Sequence, residues 1–250
     1  MIQVLLCGCN GKMGKIIREL IAERNDLSIV AGVDQILEED QQKFPVFQSI
    51  ADVNVKCDVI IDFSHHSLVP VLLDYVERTK IPAVICTTGI DQPLIKRMTQ
   101  VSKTVPILRS GNMSLGINLL LDLVKRAASV LGEAFDIEII EKHHNRKVDA
   151  PSGTAYMLAE AANQAFGNKK TFIYGREGKD AKRQKEEIGI HAIRGGTIVG
   201  EHAVIFAGTD EVIEIHHRAA SRKVFGAGAI KAALFLVNQK PGLYTMKDVL

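Results

Sequence analysis

The first 110 residues alternate short β-branched runs with helical segments, and that alternation admits very few folds. Residues 2–7, 28–33, 59–61, 83–86 and 105–108 read as strands. Between them, 13–23, 68–78 and 92–101 carry apolar residues at helical spacing. A parallel sheet with helices on both faces is the architecture this pattern builds, and ligands of such sheets bind beyond the carboxyl ends of the strands. After Gly111 the rhythm changes. A long amphipathic helix is expected over 115–130, then a period-two run, Phe135-Asp136-Ile137-Glu138-Ile139. A second helix over 154–166 and three strand-like runs at 188–194, 198–206 and 212–217 follow. Short turns at Arg194-Gly195-Gly196-Thr197 and Gly208-Thr209-Asp210 point to a largely antiparallel arrangement. The expected fold class is therefore α/β: a Rossmann-type parallel sheet domain plus a second α+β domain with a mixed, largely antiparallel sheet. An Ala- and Gly-rich helix over 222–238 ends the pattern without showing which domain it covers.

The loop between the first strand and first helix is Gly8-Cys9-Asn10-Gly11-Lys12-Met13-Gly14. Glycine permits the tight turn and lets backbone approach a pyrophosphate, which the helix N-terminus then stabilises. The spacing is GxxGxxG rather than the stricter GxGxxG. Asp34 follows the second strand, where a carboxylate can accept hydrogen bonds from ribose hydroxyls. Gln35 stands where an arginine would favour a 2′-phosphate, so NADH is slightly favoured over NADPH, with Lys12 and Lys15 keeping both in view. Asp62-Phe63-Ser64, Cys86-Thr87-Thr88-Gly89 and Gly111-Asn112-Met113-Ser114 end the third, fourth and fifth strands. Each is weak singly; together they outline one crevice.

The run Glu141-Lys142-His143-His144-Asn145-Arg146-Lys147-Val148-Asp149-Ala150-Pro151-Ser152-Gly153-Thr154-Ala155 packs two imidazoles and several cations against a helix start. Ser152 is a good N-cap, which leaves the N–H groups of Gly153 and Thr154 to face an anion. Lys147 could pair with that anion or donate a proton. His143 and His144 point to opposite sides of an extended segment, so one of them faces a given substrate atom. Six of the eight histidines occur as adjacent pairs, but no HxxxH or HExxH spacing appears and no metal site is expected.

Bulk composition removes other classes. Net charge is +2, from 31 basic and 29 acidic residues, which leaves no global field seeking nucleic acid or membrane. The mixed-sign run over 179–187 reads as a solvated loop. Cys7, Cys9, Cys57 and Cys86 form no CxxC pair and suit packed thiols in a reducing compartment, and nothing targets the chain for export, so a cytoplasmic protein is expected.

These residues together resemble the dihydrodipicolinate reductase family, also called 4-hydroxy-tetrahydrodipicolinate reductases, of the diaminopimelate–lysine pathway. The resemblance runs through the glycine loop, Cys86-Thr87-Thr88-Gly89, 112–118, 138–155, 189–202 and Ala220-Ser221-Arg222; the segment from His143 to Thr154 is its most specific part. It implies a cofactor domain over 1–113 and 219–250 to which the last helix returns, and a substrate-binding, oligomerising domain over 114–218. It also implies a hinge between them and a homotetramer built through the second sheet. Hydride from NADH or NADPH would reach the unsaturated ring of a cyclic dicarboxylate, with His143 and Lys147 as the proton-donating pair. His144, Lys147, Ser152, Gly153 and Thr154 would hold the substrate. With the strand-end turns, the candidate cofactor set is Gly8, Asn10, Gly11, Lys12, Met13, Gly14, Asp34, Phe63, Cys86, Thr87, Thr88, Asn112, Met113 and Arg222. The family usually has Arg at the position of Lys12 and Gly at that of Cys86; lysine lacks the guanidinium fork that grips a phosphate.

Two other classes compete. A non-catalytic sensor of NAD(H) would keep the glycine loop and Asp34 but has no need for His143, Lys147 and the Ser152 helix start together. A nucleic-acid module using the His-Asn-Arg-Lys run is disfavoured by the adjacent Asp149, the near-neutral chain and the absence of interleaved aromatics.

Overall fold

The computed structural model describes residues 1–37 and 43–250. The chain divides into two compact units, Met1–Leu115 with Arg222–Leu250, and Gly116–Ser221.

The first unit opens with β1 (Ile2–Cys7), α1 (Lys12–Ala22), β2 (Leu27–Val33), β3 (Val46–Phe47) and β4 (Val59–Asp62). It continues through α2 (Val69–Thr79), β5 (Ala83–Ile85), α3 (Gln92–Val101) and β6 (Pro106–Arg109). The second unit holds α4 (Leu115–Leu131, from its second residue), β7 (Asp136–His143), α5 (Gly153–Gln164), β8 (Thr171–Tyr174), β9 (Glu187–Arg194), β10 (Gly200–Ala207) and β11 (Val212–Ala219). The chain then returns to the first unit as α6 (Lys223–Leu236) and β12 (Gly242–Tyr244).

Among the described residues of the first unit, seven strands lie in the order β12-β6-β5-β4-β1-β2-β3, every pair parallel. A parallel sheet covered on both faces needs strands that are apolar throughout, and β1 shows how successive residues divide. Val4 and Leu6 pack with Ile17 and Ile21 of α1 and Ala229 and Ala233 of α6, while Leu5 and Cys7 pack with Leu73 and Val76 of α2 and Met98 of α3. The small residues of α6 allow it to lie close beside α1. The strand order reverses direction of growth between β1 and β4, the switch point at which open α/β sheets leave a crevice.

The five-stranded sheet of the second unit is mixed, in the order β11-β10-β7-β9-β8. β10 runs antiparallel to both β11 and β7, whereas β7–β9 and β8–β9 are parallel. The turn at Gly208 does close a hairpin, with its N–H donated to Glu211 O at 2.8 Å. The turn at Arg194–Thr197 does not: β9 and β10 lie on opposite sides of β7. Its backbone instead crosses the end of β7, donating from Gly195 N–H to His143 O (2.9 Å) and accepting from Asn145 N–H at Gly196 O (3.2 Å). The inward faces of β7, β9 and β10 pack Ile137, Ile139, Ile188, Ile190, Val204 and Phe206 against α4 and α5. Phe206 is fully buried, and truncating it to alanine would cost about 3–5 kcal/mol. The charge run over 179–187 is irregular, but Arg183 folds back onto Asp136 (2.6 Å) and Glu138 (3.2 Å), because the carboxylate of Glu138 on the other face needs a counter-charge. Among the described residues no helix is long and apolar enough to cross a membrane.

Candidate active site

In the first unit a cleft of about 600 Å³ opens at the carboxyl ends of β1, β2 and β4. Gly8, Gly11, Asp34 and Phe63 line it. Gly8 has φ +75°, and a Cβ there would stand 2.6 Å from Phe63 O, so only glycine lets the β1 and β4 turns lie this close. No side chain caps α1 at Gly11, so the N–H groups of its first turn are turned toward the loop, the geometry that receives a phosphate. Asp34 accepts from Asn10 N–H (2.9 Å) and Ile36 N–H (3.1 Å), which fixes its carboxylate at the cleft. The Asn10 side chain is buried, donates to Ile36 O (2.6 Å) and accepts from Arg18 (3.2 Å), tying the glycine loop to the segment after β2.

The other strand ends support the same cleft from behind. Thr87 is buried, its hydroxyl 2.7 Å from Asp62 Oδ2 and 2.9 Å from Ser64 O. Asp62 is fully buried, and burial pushes its carboxyl above the ordinary range, while hydrogen bonds from Ser64 and Thr87 pull it back. Cys86 and Met113 lie in the apolar core, and burial drives the Cys86 thiol well up, so it is a packing residue rather than a nucleophile. Asn112 is buried and accepts from Ser114 N–H (2.9 Å), shaping the turn after β6. Gly14 is buried in the first turn of α1, Met13 is half-buried beside it, and Lys12, Thr88 and Arg222 are exposed. An acidic group after β2, a glycine turn and an uncapped helix start fit a dinucleotide with a ribose and a pyrophosphate.

In the second unit a different kind of site is assembled at the end of β7. Ile137, Ile139, Glu141 and His143 share one face, so the inward-pointing row ends in a carboxylate and an imidazole. Glu141 is fully buried. It accepts from His143 Nδ1 (2.6 Å), from Arg194 Nη1 (2.8 Å) and Nη2 (2.7 Å), and from Ser152 N–H (2.9 Å). Burial would raise this carboxyl, but the hydrogen bonds from His143, Arg194 and Ser152 prevail and hold it at about 2.

Ser152 N-caps α5 by accepting from Ala155 N–H at 3.2 Å. Its hydroxyl also meets His202 Nε2 at 3.1 Å, so its side chain is engaged inside the protein. Gly153 and Thr154 are the first two residues of α5, whose backbone N–H groups look out of the helix end. Lys147 donates to Asp149 at 2.7 Å, with a fifth of its side chain still exposed. Its backbone N–H closes a turn onto His144 O (3.1 Å), and the His144 side chain is half-buried in that turn. Burial first, and then the neighbouring His143, push His202 down to about 4, so it stands neutral with its ring edge-on to His143 at 5.3 Å.

Sequence reasoning singled out His143, Lys147 and the Ser152 helix start; the structure joins His143 and Ser152 through Glu141, and links Lys147 to them through Asp149 and Arg194. It did not single out Glu141, Arg194 or His202. All three fall on inward phases of their strands, with Ile137 and Ile139, with Ile188 and Ile190, and with Val204 and Phe206 respectively. A charged or titratable residue continuing an apolar period-two row is the signal that would have found them.

Comparison with known proteins agrees along the whole chain. The family model described as dihydrodipicolinate reductase, N-terminus, matches residues 2–113, and that described as dihydrodipicolinate reductase, C-terminus, matches residues 116–250. The 4-hydroxy-tetrahydrodipicolinate reductase of Caldanaerobacter subterraneus subsp. tengcongensis is 55% identical over 249 residues, covering 100% of this chain and 98% of that protein. That of Clostridium botulinum is 50% identical over 251 residues, with the same coverage. A solved structure of dipicolinate-bound dihydrodipicolinate reductase from Paenisporosarcina sp. TG-14 superposes with a TM-score of 0.82, covering all of both chains at 23% identity.

Proposed function

The chain belongs to the dihydrodipicolinate reductase family and is an NAD(P)H-dependent oxidoreductase; from that premise we propose how its own residues divide the work. The substrate is the unsaturated ring of dihydrodipicolinate or its 4-hydroxy form, and the product is tetrahydrodipicolinate, in the diaminopimelate branch of lysine biosynthesis. Bound in the first unit, a reduced nicotinamide supplies hydride. Gly8, Gly11 and the start of α1 hold the pyrophosphate, and Asp34 receives the ribose hydroxyls. In the second unit the N–H groups of Gly153 and Thr154, with Lys147 and His144, hold the substrate carboxylates. Hydride addition leaves an electron pair conjugated with the ring. Lys147 stabilises that negative charge, and a proton from His143 forms a second C–H bond with that electron pair.

The observation that carries this reading is the cluster in which His143 and the α5 N-terminus meet on the buried Glu141, while Asp149, the partner of Lys147, is held by the same Arg194 that clamps Glu141. A protein that only sensed NAD(H) would have no use for it. The experiment is a coupled assay that follows NADH absorbance while a separate synthase makes substrate from pyruvate and aspartate semialdehyde. Enzyme-dependent oxidation is expected, and Lys147→Ala should lower kcat by roughly 10²–10⁴-fold with NADH affinity unchanged. Binding of NADH without oxidation by the wild type would favour the sensing reading instead.

Two finer points belong to the same proposal. Asp34 lines the cleft with Gln35 rather than a cation beside it, an arrangement that suits ribose hydroxyls better than a 2′-phosphate, so NADH is preferred. Asp34→Asn should weaken NADH binding by roughly tenfold or more while narrowing its advantage over NADPH; unchanged affinity for both would remove Asp34 from the ribose site. The second sheet ends in an exposed strand with Val212 59% and Ile213 38% exposed, which supports a homotetramer built through that sheet; a single-chain mass by light scattering would rule it out. None of the four cysteines forms a disulfide, which suits the cytoplasm.

A further inference from the structure

The buried carboxylate at the end of β7 does more than any one neighbour requires. Glu141 is two residues before His143 on the same strand face, lies beside Ser152 at the start of α5, and is clamped by both terminal nitrogens of Arg194 from β9. A pair that buries a carboxylate completely under a half-buried guanidinium contributes little net stability compared with apolar residues of the same volume. Its presence therefore calls for another reason, and the contacts supply one. Arg194 also donates to Asp149 O at 2.7 Å, and Asp149 is the partner of Lys147. One carboxylate and one guanidinium thus reach every element of the proposed substrate site: the imidazole, the lysine segment and the helix N-terminus.

We infer that Glu141 and Arg194 form a positioning pair that selects which nitrogen of His143 transfers the proton. An ionised carboxylate offers only acceptors, so His143 Nδ1 carries a hydrogen directed into the protein. Nε2 is then the proton-transferring atom. In the step itself the Nε2–H bond of the imidazolium breaks, the C–H bond forms with the electron pair that hydride left on the ring, and the histidine remains as its neutral Nδ1–H tautomer. Arg194 keeps the negative charge on Glu141; a buried carboxylate paired with histidine alone would tend to take the Nδ1 proton and leave the ring in the wrong tautomer. A second feature agrees. A Cβ at Gly200 would stand 3.2 Å from His143 Nε2, so the chain places its smallest residue against the atom that must stay accessible.

This inference rests on the reductase reading for its chemistry, and the tests separate the two. Glu141→Gln alone leaves the half-buried Arg194 without its counter-charge and is a poor probe, because it can simply unfold. The double variant Glu141→Gln/Arg194→Gln removes both charges at similar volume. It should retain a cooperative melt and wild-type NADH affinity, since the cofactor cleft is built in the other unit. Its kcat at saturating substrate should fall by roughly 10²-fold or more, the scale of a misplaced general acid, and by a larger factor than any rise in KM. A folded double variant with kcat within twofold of wild type would overturn the inference. Independently of any substrate, ¹⁵N-histidine NMR, with the signal assigned through His143→Asn, should show neutral His143 protonated on Nδ1 in the wild type and a tautomer mixture in the double variant. Protonation on Nε2 in the wild type would refute the pair even if the reductase reaction is found; the expected tautomer would stand even if it is not.

Discussion

The cleft at the glycine loop and the cluster at the end of β7 are built on opposite principles. The first is made of backbone: a positive-φ glycine, an uncapped helix start and one carboxylate held by two N–H groups. The second is made of side chains contributed by three strands and a helix, each charge answered by another at hydrogen-bond distance. A backbone site needs only the right local conformation, which seven consecutive residues can specify. A side-chain site needs register between strands far apart in the chain: His202 stands opposite Glu141 across the β7–β10 pair, and Arg194 stands opposite His143 across β7–β9. That difference also decides how each fails.

The largest effect should come from acidifying the side-chain site. His202 is held neutral, at about 4 against its ordinary 6.5. Between those values the unfolded chain binds a proton that the folded chain refuses. Stability is thus complete above about pH 6.5 and declines as pH falls toward 4, by about 3 kcal/mol. Glu141, at about 2 against 4.5, adds a second decline as pH falls through that lower window. Urea titrations between pH 7 and 4.5 should show the first decline, and His202→Gln should flatten it. An undiminished slope in that variant would assign the sensitivity elsewhere and weaken the contrast drawn between the two sites.

The backbone site should be broken by a single methyl group. Gly8→Ala forces an L-residue into φ +75°, at about 1–2 kcal/mol, and drives its Cβ toward Phe63 O. NADH affinity, read by fluorescence titration, should fall roughly tenfold or more. Wild-type affinity would mean that the loop has room to relax.

A third substitution, at the start of α5, should change almost nothing. Gly153 has a helical environment and nothing within 4 Å of where a Cβ would lie. Gly153→Ala keeps the N–H that the substrate site is proposed to use, so melting temperature and KM should stay close to wild type, within the few tenths of a kcal/mol that a first-turn alanine changes. A large rise in KM would show that substrate passes close enough to Gly153 for the missing side chain to matter.

Much of the fold was legible because its signals are local. Continuous apolar runs bounded by glycine turns gave the parallel strands of the first sheet, and the period-two run after residue 135 gave β7. Three short strands, β3, β8 and β12, escaped because two to four residues carry no periodicity, and they exist only by pairing with a longer neighbour. The turn at Arg194–Thr197 looked like a hairpin because its residues suit one; nothing local shows that β7 lies between the strands it joins.

The two-part α/β architecture, the glycine loop with its acid, and the run from His143 to Thr154 are readable along the chain, because each is a matter of neighbouring residues and backbone preference. Residue pattern left the place of α6 open and the family resemblance assigned it to the first unit, but neither reached the convergence of Glu141, Arg194 and His202 behind His143, which only the tertiary structure decided. Those contacts span as many as 61 positions of the chain, from Glu141 to His202, and exist only once strand order and register have brought their side chains onto one buried face.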